Sequence, residues 1–261
     1  MAEQPALSEL LVEWPVQGVC IFRMNRPRAY NALSVELVDA MREAIATSSE
    51  AGARVVVLAA SSPGYCAGAD LKQRKTMSDD EKYAHNRAIN ALANEIAALP
   101  MPTIAAINGI AMGGGCELAL ACDMRFASAN ASIGLTEARL GAMPGAGGSQ
   151  RLPRLIGTPR SLELMFSGEP VSAEKALVYG LVNDVFEVEV FEERVLAFAA
   201  LLSSRSKRTA SLLKNAVYRG MEMSLAEGLE LEREAIVEIL ASADYKEGLA
   251  AFAERRAPRF G

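Results

Sequence analysis

A single histidine, His85, stands in a chain of 261 residues. Histidine-based triads and histidine-rich metal sites therefore lack their parts, and His85, on a segment that reads as a polar helix, is expected at the surface. Cysteine is scarce too: Cys20, Cys66, Cys116 and Cys122 form no CxxC pair and no framework of the kind small secreted domains use. They read as reduced, mostly buried thiols. Cys66 and Cys116 adjoin glycines, but no base stands beside either in sequence, so a thiol nucleophile is the weaker reading. Positive charge is not in excess: a net charge of -5 argues against general affinity for nucleic acid or membrane, and any anionic ligand must meet a local basic patch. No apolar run approaches a membrane span, and the opening MAEQPALSEL has no basic segment followed by an apolar one. A cytoplasmic, soluble protein is expected. Neither GxxxxGK followed by Ser or Thr nor GxGxxG occurs, so the glycine stretches supply no phosphate cradle of known type. Asp79, Asp80 and Glu81 read as first-turn partners of a helix dipole rather than as ligands, and no metal is assigned.

What is present is apolar: 51% of the residues, enough for one large core. The most telling stretch is 103–123, TIAAINGIAMGGGCELALACD. It reads as a short strand, a turn at Asn108-Gly109, a glycine run from Gly113 to Gly115, and a helix too apolar to face water. Between Ile104 and Cys122 the only ionisable carboxylate is Glu117. A first-turn glutamate suits the helix dipole, but such residues usually point to solvent. Burying this one without a partner costs several kcal/mol or pushes its pKa upward.

Taken in order, strands at 10–14 and 19–24 flank a Gln17-Gly18 turn and read as a hairpin. Ser34 caps a helix whose inner face carries Leu37, Val38, Met41 and Ile45 and whose outer face is acidic apart from Arg42. A buried strand at 54–60 leads through a Ser, Pro and Gly loop to YCAGADL. A helix at 79–99, a strand at 103–107 and the glycine turn repeat that order. Strands at 124–127 and around 132–134 follow, then LTEARLGAMPGAGGSQRLPRLIG, with glycines where a helix would begin. From Ser172 the chain is helical, with helices at 173–179, 189–202, 206–219 and 224–241. Ser224 and Glu227 have capping-box spacing, and Leu225, Leu229, Ile236 and Leu240 form an apolar stripe. The strand-strand-helix rhythm is that of an α/β fold.

Two glycine-flanked loops and two carboxylates carry the chemistry. Loop 66–70, Cys-Ala-Gly-Ala-Asp, and the turn at Gly113-Gly114 each follow an apolar strand, so backbone N–H groups from both can converge. Two such donors make an oxyanion hole, and small residues let a ligand carbonyl approach the backbone. Either loop alone reads as a tight turn that the fold requires.

CAGADLK, NGIAMGGGCELALACD and GLTEARLGAMPGAGGSQRLPRLIG, three signatures in order, resemble those of the enoyl-CoA hydratase/isomerase, or crotonase, superfamily. The resemblance runs from NRPRAYNAL at Asn25 to the closing EGLAAFAERRAPRF. It implies an α/β spiral of strand-strand-helix repeats over residues 1–195 and a helical trimerisation region over 196–261, with a homotrimer or homohexamer as the assembly. Carried over by position, it puts oxyanion-hole amides at Ala67 and Gly114 and catalytic glutamates at Glu117 and Glu137. Ala67, Gly68, Ala69 and Asp70 would line the thioester and pantetheine channel; Arg28 and, more weakly, Lys72, Arg74 and Lys75 would meet nucleotide phosphates. The implied reaction is syn addition of water to a trans-2-enoyl-CoA, the coenzyme A being part of the substrate and no separate cofactor being needed. Glu117 would take a proton from water as it attacks C3, and Glu137 would give one to C2. A helix start after Thr136 would lower the Glu137 pKa, whereas Leu135, Ala138 and Leu140 would raise it. CAGADLKQRKTMS and AFAERRAPRF look especially like the methylglutaconyl-CoA hydratases. An enoyl-CoA isomerase, which needs one glutamate, and a non-catalytic acyl-CoA-binding or RNA-binding scaffold, which needs neither, are the alternatives.

Overall fold

The computed structural model describes residues 8–261. Its first strands, β1 (Leu10–Val16) and β2 (Val19–Met24), pair antiparallel across the Gln17-Gly18 turn. Gly18 sits there at φ +77°, a left-handed conformation open to glycine. Helix α1 (Val35–Ser48) starts at Ser34, whose Oγ accepts from the Leu37 N–H at 3.1 Å, and it buries Leu37, Val38, Met41 and Ile45. Strand β3 (Val55–Ala60) is buried at every position, as expected of a strand covered on both faces. A loop then leads to α2 (Leu71–Arg74) and to the long α3 (Asp79–Ala98), which opens on a capping box made by Ser78 and Glu81.

Strand β4 (Thr103–Ile107) lies parallel to β3, after which the chain leaves the sheet at Asn108-Gly109 for β5 (Ile110–Met112) and helix α4 (Gly114–Ala121). A third unit comprises β6 (Met124–Ser128), β7 (Ser132–Gly134), a 3-10 turn at Glu137–Leu140, α5 (Gly148–Ile156) and α6 (Thr158–Ser167). Then come β8 (Val171–Ser172), α7 (Ala173–Tyr179), β9 (Asp184–Phe186) and α8 (Phe191–Ser203). Helices α9 (Lys207–Gly220), α10 (Leu225–Ala241) and α11 (Ala243–Glu254) end the chain. The large sheet has the order β1-β2-β3-β4-β6-β9, and a second, three-stranded sheet has the order β5-β7-β8. Each repeat thus lends a strand to the large sheet and, after β4 and β6, one to the small sheet. No helix among the described residues is long and apolar enough to cross a membrane.

Three expectations change. The division at 195/196 falls inside α8, whose Phe191, Val195 and Ala199 pack on Val19, Val57, Ile104 and Phe126 of the large sheet; α8 belongs to the core, and the appended helices begin at α9. Helices α6 and α11 were not anticipated. His85 is buried rather than superficial: it shares the inner face of α3 with Ile89, Leu92, Ala93 and Ile96, and its Nδ1 accepts from Arg74 Nε at 3.3 Å. Its spacing from Ile89 and Leu92 was the helical signal.

Helix α4 is buried from Gly115 to Ala121 and packs directly on the loop after β3. A Cβ on Gly115 would lie 2.3 Å from the Cys66 carbonyl oxygen and 2.6 Å from its Cβ. Neither backbone can yield easily, because Cys66 is bonded to β5 through its N–H to Ile110 O and its carbonyl to Met112 N, both at 2.9 Å. Gly115→Ala is therefore expected to cost about 3 kcal/mol, the upper end for overpacking, and to lower Tm by about 2–4 °C per kcal/mol lost. Thermal melting followed by circular dichroism checks this; an unchanged Tm would show that the two segments can separate.

Candidate active site

Loop 66–70 is stitched down on both sides. Cys66 bridges Ala111 of β5, and Ala69 bridges Leu33 through Leu33 N–H to Gly68 O at 2.8 Å and Asp70 N–H to Leu33 O at 3.0 Å. This pairing decides which amides face the site. The Ala67 N–H is donated to the Tyr30 carbonyl at 2.9 Å, so the expectation that Ala67 presents a free donor is corrected. Because Gly68 and Asp70 make the bonds to Leu33, the Ala69 N–H between them points the other way, and it has no acceptor among the described residues. Gly114, the first residue of α4, has an N–H that no intrahelical carbonyl can reach. The two amides are neighbours: a Cβ on Gly114 would lie 3.7 Å from Ala69 N. Gly68, at φ +91°, leaves the notch between them open, since a Cβ there would lie 2.8 Å from Met112 O and 3.2 Å from Gly114 N.

Glu117, in the first turn of α4, is only 3% exposed. Its Oε1 accepts the N–H groups of Ala146 at 2.7 Å and Gly148 at 2.8 Å, while Oε2 accepts nothing from the described residues. Gly148 leaves room for that oxygen, since a Cβ there would press to 3.0 Å on it and on Leu135 Cδ1 and Pro144 Cβ. Burial pushes the Glu117 pKa above the usual carboxylate range, against the pull of the amides of residues 145–148 and the charge of Arg151. Glu137, at the start of the 3-10 turn, brings its Oε1 over Gly113, where a Cβ would sit 3.1 Å away. Its Oε2 is buried with no partner among the described residues. Burial, with a smaller contribution from the Glu117 charge, pushes its pKa up to about 7. Desolvation thus outweighs the turn at Thr136, which gives Glu137 no side-chain cap.

The structure brings Glu117, Glu137, Gly68, Ala69 and Gly114 together. It gives Asp70 another task than lining a channel: Oδ1 accepts from Lys72 N at 3.0 Å and Gln73 N at 3.1 Å, and Oδ2 from Arg26 Nη1 at 2.9 Å. Burial would raise its pKa, but those N–H groups and the Arg26 guanidinium hold it below the usual value. Arg28 is exposed in the turn Pro27–Ala29 without an ion pair among the described residues. Lys72 and Lys75 are exposed, while Arg74 is half-buried against His85. Burial pushes the Cys66 thiol up to about 12 and Cys116 higher than usual, so both are unreactive core groups. The sequence reading missed Ala146, Gly148 and Arg151; the glycine density of PGAGGSQR was the available signal.

Strand-strand-helix units turning through two unequal sheets, with glycine loops meeting at the start of a buried helix, make a crotonase-type fold. The chain belongs to the enoyl-CoA hydratase/isomerase family, which it matches over residues 16–261. It is 41% identical to an enoyl-CoA hydratase domain-containing protein 2, mitochondrial, of Mus musculus, over 98% of this chain and 88% of that one. It is 39% identical to the mitochondrial methylglutaconyl-CoA hydratase of Homo sapiens, over 94% of this chain and 74% of that one. The crystal structure of an enoyl-CoA hydratase from Bacillus anthracis superposes with a TM-score of 0.94 at 40% identity, covering 97% of this chain and 98% of the other.

A glutamate whose folded pKa lies near 7 instead of about 4.5 adds stability in its protonated form. That contribution is complete below pH 4.5 and is lost as pH rises through about 7. Glu137→Gln removes the dependence, so the Tm of the variant relative to the parent is expected to rise between pH 5 and pH 8. Parallel melting curves across that range test it; a constant difference would mean that Glu137 is ionised throughout.

Proposed function

We propose that the protein hydrates trans-2-enoyl-CoA thioesters. The observation that carries this reading is the pair of desolvated glutamates with opposite preparation: Glu117 has one oxygen fixed by two N–H groups and the other unbonded, and Glu137 has a near-neutral pKa and a buried, unpartnered oxygen. Burial raises both, but the donors on Glu117 favour its carboxylate and the lack of a partner on Glu137 Oε2 favours its acid, so the pair divides into base and acid. Ionised Glu117 takes the proton of a water as its oxygen attacks C3, and protonated Glu137 delivers a proton to C2 on the same face. The thioester oxygen, enolate-like between these events, accepts from the Ala69 and Gly114 N–H groups, with the positive end of α4 behind Gly114. Ala69 takes the place that the sequence reading gave to Ala67. Relatives named for enoyl-CoA and methylglutaconyl-CoA hydration agree with the reaction type. A panel of crotonyl, longer linear and methylglutaconyl thioesters, followed at the enoyl absorbance, assigns the acyl group. The mouse, Arabidopsis thaliana and human relatives are named as mitochondrial proteins, so they lend no support to the cytoplasm expected from the sequence.

We also propose a homotrimer or a pair of trimers. Leu225, Leu229, Ile236 and Leu240 lie on one stripe of α10 and are 80%, 50%, 51% and 50% exposed in the single chain. An apolar patch of that kind marks an interface. Light scattering is expected to give a multiple of three; a monomer at micromolar concentration would refute this assembly.

Gln preserves the size of Glu but cannot exchange a proton. Glu117→Gln and Glu137→Gln are each expected to lower hydration kcat by about 10²–10⁴, and the double variant by less than the product, since both groups act on one water. Isomerisation of a 3-enoyl-CoA, which needs a single proton shuttle, should survive either change better. Near-normal hydration in Glu117→Gln would leave that residue a structural carboxylate and favour the one-glutamate reaction. An amide-to-ester exchange at Ala69, which deletes only the N–H, should cost about 10²–10³ in turnover; full activity would remove Ala69 from the oxyanion hole.

A further inference from the structure

The loop that holds Glu117 is itself held from its far side. Helix α3 presents Asn86, Asn90 and Asn94 at one-turn intervals toward it. Asn90 Nδ2 donates to the Gly145 carbonyl at 3.1 Å, and Asn94 Nδ2 donates to Asn90 Oδ1 at 3.0 Å. Arg151, from α5, donates through Nη2 to Asn94 Oδ1 at 2.7 Å and through Nη1 to the Ala146 carbonyl at 2.9 Å. Side chains rest directly on the loop: a Cβ would lie 2.3 Å from Asn86 Nδ2 at Gly145, and 2.0 Å from Arg151 Nη1 at Gly147. The Gly145 carbonyl that Asn90 holds shares its peptide unit with the Ala146 N–H, Arg151 grips the next carbonyl along, and the Ala146 and Gly148 N–H groups bind Glu117 Oε1.

Arg151 is half-buried and makes no ion pair among the described residues. A partly desolvated guanidinium bonded only to neutral acceptors is electrostatically unfinished. Burial lowers its pKa, and the largest opposing influence is the charge of Glu117. Among the described residues, the Arg151 charge from α5 acts on Glu117, and the Glu117 charge in turn reaches Glu137 of the 3-10 turn and the Cys116 thiol of its own helix. Only Arg151 among these favours the carboxylate form.

We propose that Arg151, braced by Asn94 and Asn90, is a positioning residue for Glu117, holding the loop that carries the two N–H donors on its Oε1 and supplying a positive charge beside it. The inference rests on the reading of Glu117 as the base. It accounts for why two buried glutamates side by side would do different work: Glu117 has a cation and the amides of another loop, whereas Glu137 has only its own backbone N–H and a buried Oε2 without a partner among the described residues.

The test uses the full-length assembled protein, crotonyl-CoA, and the variants Arg151→Met, Arg151→Lys, Asn94→Ala and Glu117→Gln. Removing an outer partner of an active group typically costs about 10–100-fold, and that loss is expected in kcat for Arg151→Met, with KM changed far less. The acidic limb of its kcat profile should move to higher pH, because a carboxylate without its cation ionises later. The 15N shifts of the Ala146 and Gly148 amides, which report the ionisation of Glu117 without turnover, should move in the same direction. Arg151→Lys, keeping charge but losing the fork, should restore the titration while leaving part of the kcat loss. In the Glu117→Gln background Arg151→Met should add little. If Arg151→Met does not fold, Asn94→Ala with the amide titration gives the reading, expected as a smaller shift of the same sign. Unchanged profiles in either variant, or a full additional loss in the double variant, overturn the positioning role. Near-normal turnover in Glu117→Gln alone instead overturns the base assignment, so the two failures are distinguishable.

Discussion

Two desolvated carboxylates lie near enough for the charge of one to act on the other, and the rest of the site is arranged around the cost of putting them there. A buried carboxylate either finds donors or takes up a proton, and this chain uses one solution for each. Glu117 receives two backbone N–H groups on a single oxygen, which offset part of the cost of ionisation that burial imposes. Glu137 receives none on its buried Oε2 and drifts to a pKa of about 7. Proximity adds to the difference, since a charge on Glu117 discourages a second charge on Glu137. The asymmetry is therefore one of surroundings rather than of residue type.

Backbone rather than side chains performs most of the holding, and this explains where the glycines fall. At Gly148 a Cβ would crowd the oxygen that the residue's own amide binds; at Gly68 a side chain would fill the space between the Ala69 and Gly114 amides. Amides fixed in bridged loops cannot swing away, so they are oriented before any ligand arrives, which is the condition under which an oxyanion hole accelerates a reaction. The bridges from Cys66 to Ala111 and from Ala69 to Leu33 supply that rigidity.

Periodic features of the fold were legible in the sequence. The inner face of α1, the capping Ser34, the Ser224 and Glu227 box, the all-apolar β3 and the alternation of strands with helices all appear as read. Signals written in local side-chain spacing survive, because local geometry sets them. The polar neighbours of His85 suggest a surface position, but its helical phase with Ile89 and Leu92 places it on the buried face. The choice between Ala67 and Ala69 could not be read locally: an extended loop would put both amides on one side, but Gly68 at φ +91° breaks that alternation, and Tyr30 takes the Ala67 N–H while Leu33 pairs with Gly68 and Asp70. The donors to Glu117 are main-chain groups of another loop and leave no mark except a concentration of glycine. The balance at Glu137 depended on burial, which the sequence left open and the fold decides in favour of desolvation.

Helix α4 joins these parts because both of its ends are engaged. Its N-terminus supplies the Gly114 amide and, one turn on, Glu117. Its C-terminus meets Arg125, buried to 6% exposure, which donates to the carbonyls of Cys122 at 2.7 Å and Ala119 at 3.4 Å and to Leu181 at 2.8 Å. A cation on the last carbonyls complements the helix dipole and satisfies acceptors that no intrahelical donor reaches. Just beyond, Asp123 accepts from Thr103 N at 2.8 Å, Lys214 Nζ at 2.9 Å and Tyr218 OH at 3.0 Å. It thereby ties α9 to the end of α4. The helical appendage is thus anchored at one end of the same short helix whose other end carries the Gly114 amide and Glu117. Buried on nearly every side, α4 has little freedom to tilt, so assembly through α10 would reinforce a site geometry that the core has already set.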